Sequence, residues 1–137
     1  MKFICDVMLG KLGRWLRMMG HDTEIASDEL TDRDILNIAE EEGRLVLTRD
    51  SDLKKMNSPV EVILLDSRDF EDQLKRVFTE LDLDTNFPEG SRCSHCNSEL
   101  KEVGESEWVC KGCGQEYWKG SHWDRIKEIE KRLENLN

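Results

Sequence analysis

The sequence predicts an α/β protein with a mainly parallel sheet flanked by helices, followed by a small cysteine-rich module. The first part is predicted by the alternation of short apolar runs with segments that repeat apolar residues at helical spacing. Two C-x-x-C units, beginning at Cys93 and Cys110, predict the second part. Residues 86–90 contain a proline and a glycine and are typical of a linker, so we expect domains at 1–88 and 89–137.

The first elements follow from the spacing of apolar residues. Residues 3–7 form an apolar run that contains Asp6 near its end, so we expect a strand followed by a carboxylate. Leucine, tryptophan and methionine recur at helical spacing over residues 9–19, and a glycine follows as a helix stop. A short strand is expected at 23–26.

The remaining elements of the first domain follow from capping signals and from further apolar runs. Thr31 and Asp34 have the spacing of a capping pair at a helix start, and Ser67 is placed to cap a later helix. The expected elements are a helix at 31–43, a strand at 45–48, a strand at 60–65, a helix from 67 to 81 and, after the cysteines, an amphipathic helix at 122–136.

The charge of the chain argues against a broad basic surface for nucleic acid. The formal net charge is −10, with 12 basic and 20 acidic side chains in residues 1–88 and 8 basic and 10 acidic ones in residues 89–137. An RNA partner would therefore meet a local basic patch or bound cations. No apolar run approaches the roughly 20 residues of a membrane span, and no signal-peptide pattern is present, so we expect a soluble cytoplasmic protein without a membrane partner.

Four cysteines have the spacing of a tetrahedral metal site. Cys93, Cys96, Cys110 and Cys113 form two knuckles separated by thirteen residues, and each knuckle presents two sulfurs to one side. We expect a structural zinc, since paired knuckles in a reducing compartment are typical of zinc sites. Iron in a rubredoxin-like site is the main alternative, and a redox dithiol pair is a second. The fifth cysteine, Cys5, is expected to be a buried small hydrophobe.

Aspartates at the expected strand ends are candidates for a second metal site. Asp6 follows the first strand, and Asp50 and Asp52 follow the strand at 45–48, so these side chains would meet at the carboxyl edge of a parallel sheet, where ligands bind. Carboxylate oxygens favour Mg²⁺ or Mn²⁺. The structural alternative is that such carboxylates cap helices or accept from turn amides; it is favoured for Asp66, directly before a helix start, and it applies also to Asp34.

Basic and aromatic side chains could supply contacts to a nucleic acid. Lys11, Arg14 and Arg49 are close in sequence to the aspartates and could meet phosphates, although solvated surface charge is the commoner role of such residues. The aromatic residues of the cysteine module could stack on bases, or they could form the core that so small a module needs. These residues are Trp108, Tyr117, Trp118 and Trp123.

Four runs of residues carry a resemblance to a known family. They are the Asp-Val-Met-Leu-Gly-Lys-Leu-Gly-Arg-Trp-Leu-Arg run at 6–17, Gly-His-Asp at 20–22, Leu-Thr-Arg-Asp at 47–50 and Tyr-Trp-Lys-Gly-Ser-His-Trp at 117–123. On these runs, which span nearly the whole chain, the sequence resembles the Mut7-C family, whose members join a PIN-like ribonuclease domain to a zinc ribbon. The resemblance implies a PIN-like fold for residues 1–88 and a zinc ribbon with a terminal helix for residues 89–137.

The resemblance also implies a reaction and a set of acids. PIN-like nucleases bind Mg²⁺ or Mn²⁺ through a small aspartate cluster and cut single-stranded or structured RNA. By position, Asp6 would be the first-strand acid, Asp34 the helix acid, and Asp50 with Asp52 the late-strand pair. The expected function is that of a metal-dependent endoribonuclease that hydrolyses RNA phosphodiesters, with ribosomal RNA or the ribosome among the candidate partners.

Two other functions remain open from the sequence. One is a non-catalytic adaptor that binds RNA or the ribosome through an inactive PIN-like domain. The other is a receiver-type phosphoacceptor, which also gathers acids and Mg²⁺ at a sheet edge; it is disfavoured because the Thr or Ser and the Lys expected on later strands are not evident after Asp50. The oligomeric state is also open, because the apolar stripe of the terminal helix could dock on its own domain or on a second copy.

Overall fold

Two sheets organise the part of the chain that the structure, a computed structural model, describes. The described residues are 1–83, 92–105, 107–118, 127–129 and 131–133. One sheet has four parallel strands flanked by helices, and the other has three antiparallel strands beside the four cysteines. The α/β fold class predicted from the sequence is therefore confirmed, whereas the linker expected at 86–90 lies outside the described residues.

The elements follow the predicted order with shorter bounds. They are β1 (Lys2–Cys5), a 3₁₀ turn (Val7–Leu9), α1 (Gly10–Met18), β2 (Asp22–Ile25), α2 (Asp32–Glu42), β3 (Leu45–Thr48), α3 (Ser51–Lys55), β4 (Val62–Leu64), α4 (Phe70–Leu81), β5 (Leu100–Gly104), β6 (Glu107–Cys110) and β7 (Glu116–Trp118).

Three local differences from the prediction have simple causes. The first strand ends at Cys5 because the Asp6 carboxylate accepts from the Met8 amide (3.2 Å) and starts the 3₁₀ turn. The five-residue helix α3 is too short to show apolar periodicity. Helix α4 begins at Phe70 rather than directly after Ser67, because Asp69 is its N-cap.

The order of strands in the parallel sheet is β2-β1-β3-β4. The chain runs from β1 outward to β2 and then returns through α2 to β3 on the other side of β1, so the direction of winding changes between β1 and β3. Cys5 aligns with Leu47 across these two strands, and the Asp6 amide donates to the Leu47 carbonyl (3.0 Å). The residues after β1 and β3 therefore meet at the crevice where such sheets bind ligands.

The two faces of this sheet bury separate sets of apolar side chains, as expected for a parallel sheet covered on both sides. Phe3 and Cys5 face α1 and α4, whereas Ile4, between them, faces α2. Cys5 is fully buried, which confirms the prediction that it is a small core residue, and burial raises the pKa of its thiol to about 12. The thiol is consequently protonated at neutral pH.

The cysteine module docks on β2, the edge strand of the parallel sheet. The buried Arg17 side chain donates to the Ser94 and His95 carbonyls (3.0 and 3.2 Å), and the Thr23 amide donates to Asn97 Oδ1 (3.0 Å). Asn97 also donates to Asp22 (2.7 Å). These bonds satisfy backbone groups of an edge that would otherwise be open to another chain.

The described part of the C-terminal segment packs on the parallel-sheet domain of the same chain. Residues 127–129 and 131–133 are helical, and Ile129 and Leu133 are buried in the same cluster as Leu74 of α4. Arg132 forms an ion pair with Glu71, which also belongs to α4. The other positions of the predicted terminal stripe, residues 126 and 136, lie outside the described part. No helix in the described residues has the length and the apolar character needed to cross a bilayer.

Candidate active site and metal centre

A pocket lies at the carboxyl ends of β1 and β3, and four aspartates line it. Asp6 follows β1, Asp28 lies in the loop after β2, Asp32 begins α2 and Asp50 follows β3. The sheet order brings these chain segments together, because β1 and β3 are neighbours and α2 crosses between β2 and β3. Two of the four, Asp6 and Asp50, are predicted site residues.

Thr48, the last residue of β3, ties Asp6 to Asp50. Its hydroxyl donates to Asp6 Oδ2 (2.9 Å) and accepts from the Asp50 amide (2.9 Å), and its side chain is fully buried. Asp50 in turn caps α3, since its Oδ1 accepts from the Asp52 amide (2.9 Å). Both oxygens of Asp6 are thus fixed by the protein, one by the Met8 amide and one by Thr48, and Oδ1 of Asp50 is fixed by the Asp52 amide.

The neighbouring carboxylates affect the pKa of Asp32. Its pKa is raised, first by burial, then by the charge of Asp50 and a hydrogen bond with it, and then by the charges of Asp6 and Asp52. Neighbouring carboxylates disfavour each other's ionised form unless a cation lies between them. Asp6 and Asp50 are therefore close enough to Asp32 for their charges to act on it.

The other two predicted acids lie beside the pocket rather than on its wall. Asp34 forms a capping box with Thr31: the Thr31 amide donates to Asp34 (3.0 Å), and the Asp34 amide donates to the Thr31 hydroxyl (3.1 Å). These bonds lower the pKa of Asp34. Asp52 is exposed in the first turn of α3, and its negative charge contributes to the raised pKa of Asp32.

The acids of the pocket do not form a close group of ligand atoms. Among the described residues, only the four cysteines bring three or more candidate ligand atoms within 4.8 Å of one another. Mg²⁺ keeps several of its waters and is usually bound through one or two carboxylates directly. Asp6, Asp32 and Asp50 could hold a cation in that mode, in which water molecules bridge the ion to some of the carboxylates.

Of the basic residues predicted to meet a substrate, one lines the pocket. Arg49 lies on its wall together with Arg68, which comes from the loop between β4 and α4. The ammonium group of Lys11 lies 4.9 Å from the centre of the Phe70 ring, and Arg14 is exposed on α1; neither lines the pocket.

The four cysteine sulfurs form a compact group. All four lie within 4.8 Å of one another, with Cys93 and Cys113 at 3.8 Å and Cys96 and Cys110 at 3.3 Å. Tetrahedral coordination with Zn–S bonds of about 2.3 Å requires sulfurs about 3.8 Å apart. The cysteines are thus positioned to bind a metal ion, as the spacing predicts.

Hydrogen-bond donors surround the cysteine sulfurs. The amides of Gly112 and Cys113 each donate to Cys110 Sγ (3.3 Å). Hydrogen bonds from the hydroxyl and the backbone of Ser98 lower the pKa of Cys96 to about 6. The thiolate is the form that binds metal. A Cβ atom at Gly112 would collide with Ser98, so this knuckle requires glycine.

The aromatic residues of the module differ in burial and in contacts. The Tyr117 hydroxyl lies 3.0 Å from Cys93 Sγ, so this side chain belongs to the surroundings of the metal centre. Trp108 is half-buried on the neighbouring strand, and Trp118 is 67% exposed. Trp123 lies outside the described residues.

Sequence reasoning missed Asp28, Asp32, Thr48 and Arg68. Asp32 stands two residues before Asp34 in the same helix start, and the capping pattern that identifies Asp34 was the available sign that its neighbour is the free acid. Thr48 belongs to the quoted Leu-Thr-Arg-Asp run, but a hydroxyl at a strand end carries no signal of its own. Asp28 and Arg68 lie in loops, whose positions depend on the packed fold.

Comparison with known proteins gives one match. A family model described as the Mut7-C RNAse domain matches residues 1–108 and 102–130 of the chain. Searches of the curated proteins and of the solved structures gave no significant match.

Proposed function

The chain belongs to the Mut7-C RNAse domain family, and we propose that it hydrolyses RNA phosphodiesters with the help of a divalent cation held at the acid-lined pocket. The family indicates a function of the ribonuclease type. The observation that carries the proposal is the convergence of Asp6, Asp32 and Asp50 beside the change of winding between β1 and β3.

Each acid has a role in this proposal. Asp50 would hold the cation through the oxygen that does not accept from the Asp52 amide. Asp6 would hold it through a second lone pair of an oxygen that also accepts from Met8 or Thr48. Asp32 takes the position of the helix acid in place of Asp34, whose carboxylate is engaged in the capping box. Its carboxylate, beside those of Asp6 and Asp50, would accept a hydrogen bond from a water bound to the cation. Asp52 would contribute through its charge, outside direct contact.

The cation would be Mg²⁺ or Mn²⁺, since the site offers only hard oxygen ligands. When bound, such an ion polarises a phosphoryl oxygen and lowers the pKa of a coordinated water. The protein orients the carboxylates through Thr48 and through the caps of α2 and α3. Arg49 stands on the wall beside them and would meet the substrate phosphate.

Cleavage of defined RNAs tests this proposal. Single-stranded and hairpin RNAs are incubated with the wild-type protein and with Asp50→Asn, in Mn²⁺, in Mg²⁺ and in a chelator. We expect cleavage that requires the metal and that falls about 100-fold or more in the variant. Equal cleavage by both proteins would indicate a contaminating nuclease and contradict the proposal, and metal-independent RNA binding without cleavage would favour the adaptor function.

For the cysteine centre we propose a structural zinc. The sulfur spacing, the amide donors and the Tyr117 hydroxyl suit a closed four-thiolate site. Elemental analysis of the purified protein should give one zinc per chain. A coloured protein that contains one iron instead would identify the rubredoxin-like alternative, and a metal-free centre that cycles between dithiol and disulfide would contradict both.

A further inference from the structure

The pocket that holds the acids also has a basic side. Arg49 and Arg68 reach it from two different loops, after β3 and after β4. Among the described residues, neither guanidinium forms an ion pair within 4.0 Å, although four aspartates line the same pocket. Two guanidinium groups therefore line the pocket without an ion-pair partner in the described part of the chain.

Arg49, a partly buried residue, differs in this respect from the two buried arginines of the described residues. Arg44 donates to the Phe3 carbonyl and to the carboxylates of Asp22 and Glu42. Arg17 likewise donates to three backbone carbonyls. Nε of Arg49, in contrast, is buried and has no hydrogen-bond partner, and it is the one such side-chain atom in the described residues.

An oxyanion would satisfy this donor. A guanidinium presents Nε and a terminal nitrogen in one plane, so it binds two oxygens of a phosphate at once. The buried Nε of Arg49 needs such a partner, because an unpaired buried donor is costly. Arg68 is exposed on the same wall and can meet the charge of a backbone phosphate from the solvent side.

The charge balance of the pocket makes this role conditional on a cation. Four aspartates and two arginines leave an excess of negative charge, which repels a phosphodiester. A divalent cation among the carboxylates removes that excess and leaves the two arginines as the attractive groups. Anion binding at the arginines and cation binding at the aspartates should therefore reinforce each other.

We propose that Arg49 and Arg68 form a phosphate-binding subsite for the backbone of a single RNA strand, and that it fills only when a divalent cation occupies the aspartates. Arg68 is thereby a substrate-binding residue in a loop that sequence reasoning did not connect with the site. The choice of RNA as the source of the phosphate rests on the proposed function; the cation-dependent phosphate site rests on the geometry of the pocket.

Binding of a fluorescently labelled single-stranded RNA tests the subsite without cleavage. Affinity is measured by anisotropy for the wild-type protein, Arg68→Ala, Arg49→Ala and Arg49→Lys, in Ca²⁺, which is also bound by oxygen ligands, and in a chelator, over a series of salt concentrations. Arg76→Ala is the matched control, because Arg76 is an exposed arginine of α4 that pairs with Glu80 outside the pocket.

Arg68→Ala should weaken binding in Ca²⁺ about 5- to 20-fold and should reduce the slope of log affinity against log salt by about 0.7, the contribution of one phosphate contact on a single strand. Arg49→Ala should have at least the same effect, and Arg49→Lys should restore it only in part, because an ammonium lacks the planar fork. Wild-type protein in chelator should bind as weakly as Arg68→Ala in Ca²⁺.

The subsite is overturned if Arg68→Ala binds with wild-type affinity and salt slope, or if the chelator leaves wild-type binding unchanged. A separate cleavage assay in Mn²⁺ distinguishes this failure from that of the proposed function. If the protein cleaves RNA but its RNA binding does not depend on the two arginines, only the subsite is contradicted. Binding that depends on the arginines and the cation, without cleavage, supports the subsite and sinks the nuclease. Absence of RNA binding by the wild-type protein overturns both.

Discussion

Two aspartates at the start of α2 have different tasks although they are two residues apart. Asp32 lines the pocket and feels the charges of Asp6 and Asp50, whereas Asp34 is engaged with Thr31. Asp32→Asn should therefore reduce RNA cleavage about 100-fold or more. Asp34→Asn should retain it, since an asparagine oxygen can still accept from the Thr31 amide.

Steady-state cleavage rates of these two variants, with thermal unfolding as a check on folding, provide a matched comparison. Both substitutions remove one negative charge from the same helix turn, so a general change of charge affects them equally. Loss of cleavage in Asp34→Asn together with retention in Asp32→Asn would show that Asp34 is the helix acid implied by position in the family resemblance.

The Thr48 hydroxyl sets the positions of two carboxylates at once. Thr48→Val keeps the shape of the side chain but removes the donor to Asp6 and the acceptor for the Asp50 amide. Cleavage should fall about 10- to 100-fold, as when an outer partner of a metal ligand is lost, and the concentration of Mn²⁺ for half-maximal activity should rise. Thr48→Ser should remain near wild type in both measurements. Equal effects of the two substitutions would assign Thr48 to packing alone.

His21 provides a pH dependence of stability. Its ring packs edge-on against Phe3 and Phe78, and burial, followed by the positive charge of the N-terminus, lowers its pKa to about 4. In the unfolded chain this imidazole takes up a proton near pH 6.5, whereas in the folded protein it does so only near pH 4. Protonation therefore favours the unfolded chain, and the free energy of unfolding should fall as the pH is lowered from about 6.5 toward 4. Urea unfolding at pH 7, 6 and 5 should show this decline, and His21→Gln should reduce it. An unchanged decline in the variant would assign it to other groups.

The site residues that sequence reasoning could reach are those that strand ends reveal. Asp6 and Asp50 follow apolar runs, and both line the pocket. The third acid is whichever residue of α2 faces the pocket, and this depends on how the helix is rotated about its axis. Successive helix residues point in directions about 100° apart, so a shift by one residue changes which side chain faces the pocket. Position within the Thr-Asp-Arg-Asp start of α2 could not decide it without the capping bonds of Asp34.

At the scale of elements, the edge strand β2 is closed by a side chain of the cysteine module. Asn97, at a positive φ of 74°, accepts from the Thr23 amide and donates to Asp22. Asn97→Gly keeps the backbone conformation accessible and removes both bonds, so it should lower the free energy of unfolding by about 1–3 kcal/mol. Asn57→Gly, in an exposed loop, is the control and should change it by less than about 0.5 kcal/mol.

Chemical denaturation followed by circular dichroism measures both variants. An unfolding transition of Asn97→Gly that matches the wild type would mean that the contact between the module and β2 does not form in solution. The elements on either side of this contact are predictable from apolar runs and cysteine spacing. Their contact joins residues more than 70 positions apart, such as Arg17 with Ser94, and no local pattern announces it.

At the scale of the whole molecule, the cysteine centre and the acid pocket lie at opposite ends of the parallel sheet. The first knuckle meets β2 at Asp22 and Thr23, which align with Lys2 and Phe3 at the amino ends of the strands. The pocket begins after Cys5, at the carboxyl ends. A metal bound by the cysteines should therefore act on stability and should leave the chemistry of the pocket unchanged.

Removal of that metal separates a structural role from a part in substrate docking. After dialysis against a zinc chelator, and in Cys113→Ser, the midpoint of thermal unfolding should fall by at least about 10 °C, because the knuckle that holds Arg17 and caps β2 loses its order. Cleavage is then assayed in excess Mg²⁺ at a temperature where the parallel sheet remains folded. The rate per folded molecule should stay within about twofold of wild type, and added zinc should restore the midpoint in the dialysed wild-type protein but not in Cys113→Ser. A rate that falls tenfold while the midpoint stays constant would instead mean that the cysteine module takes part in binding the RNA.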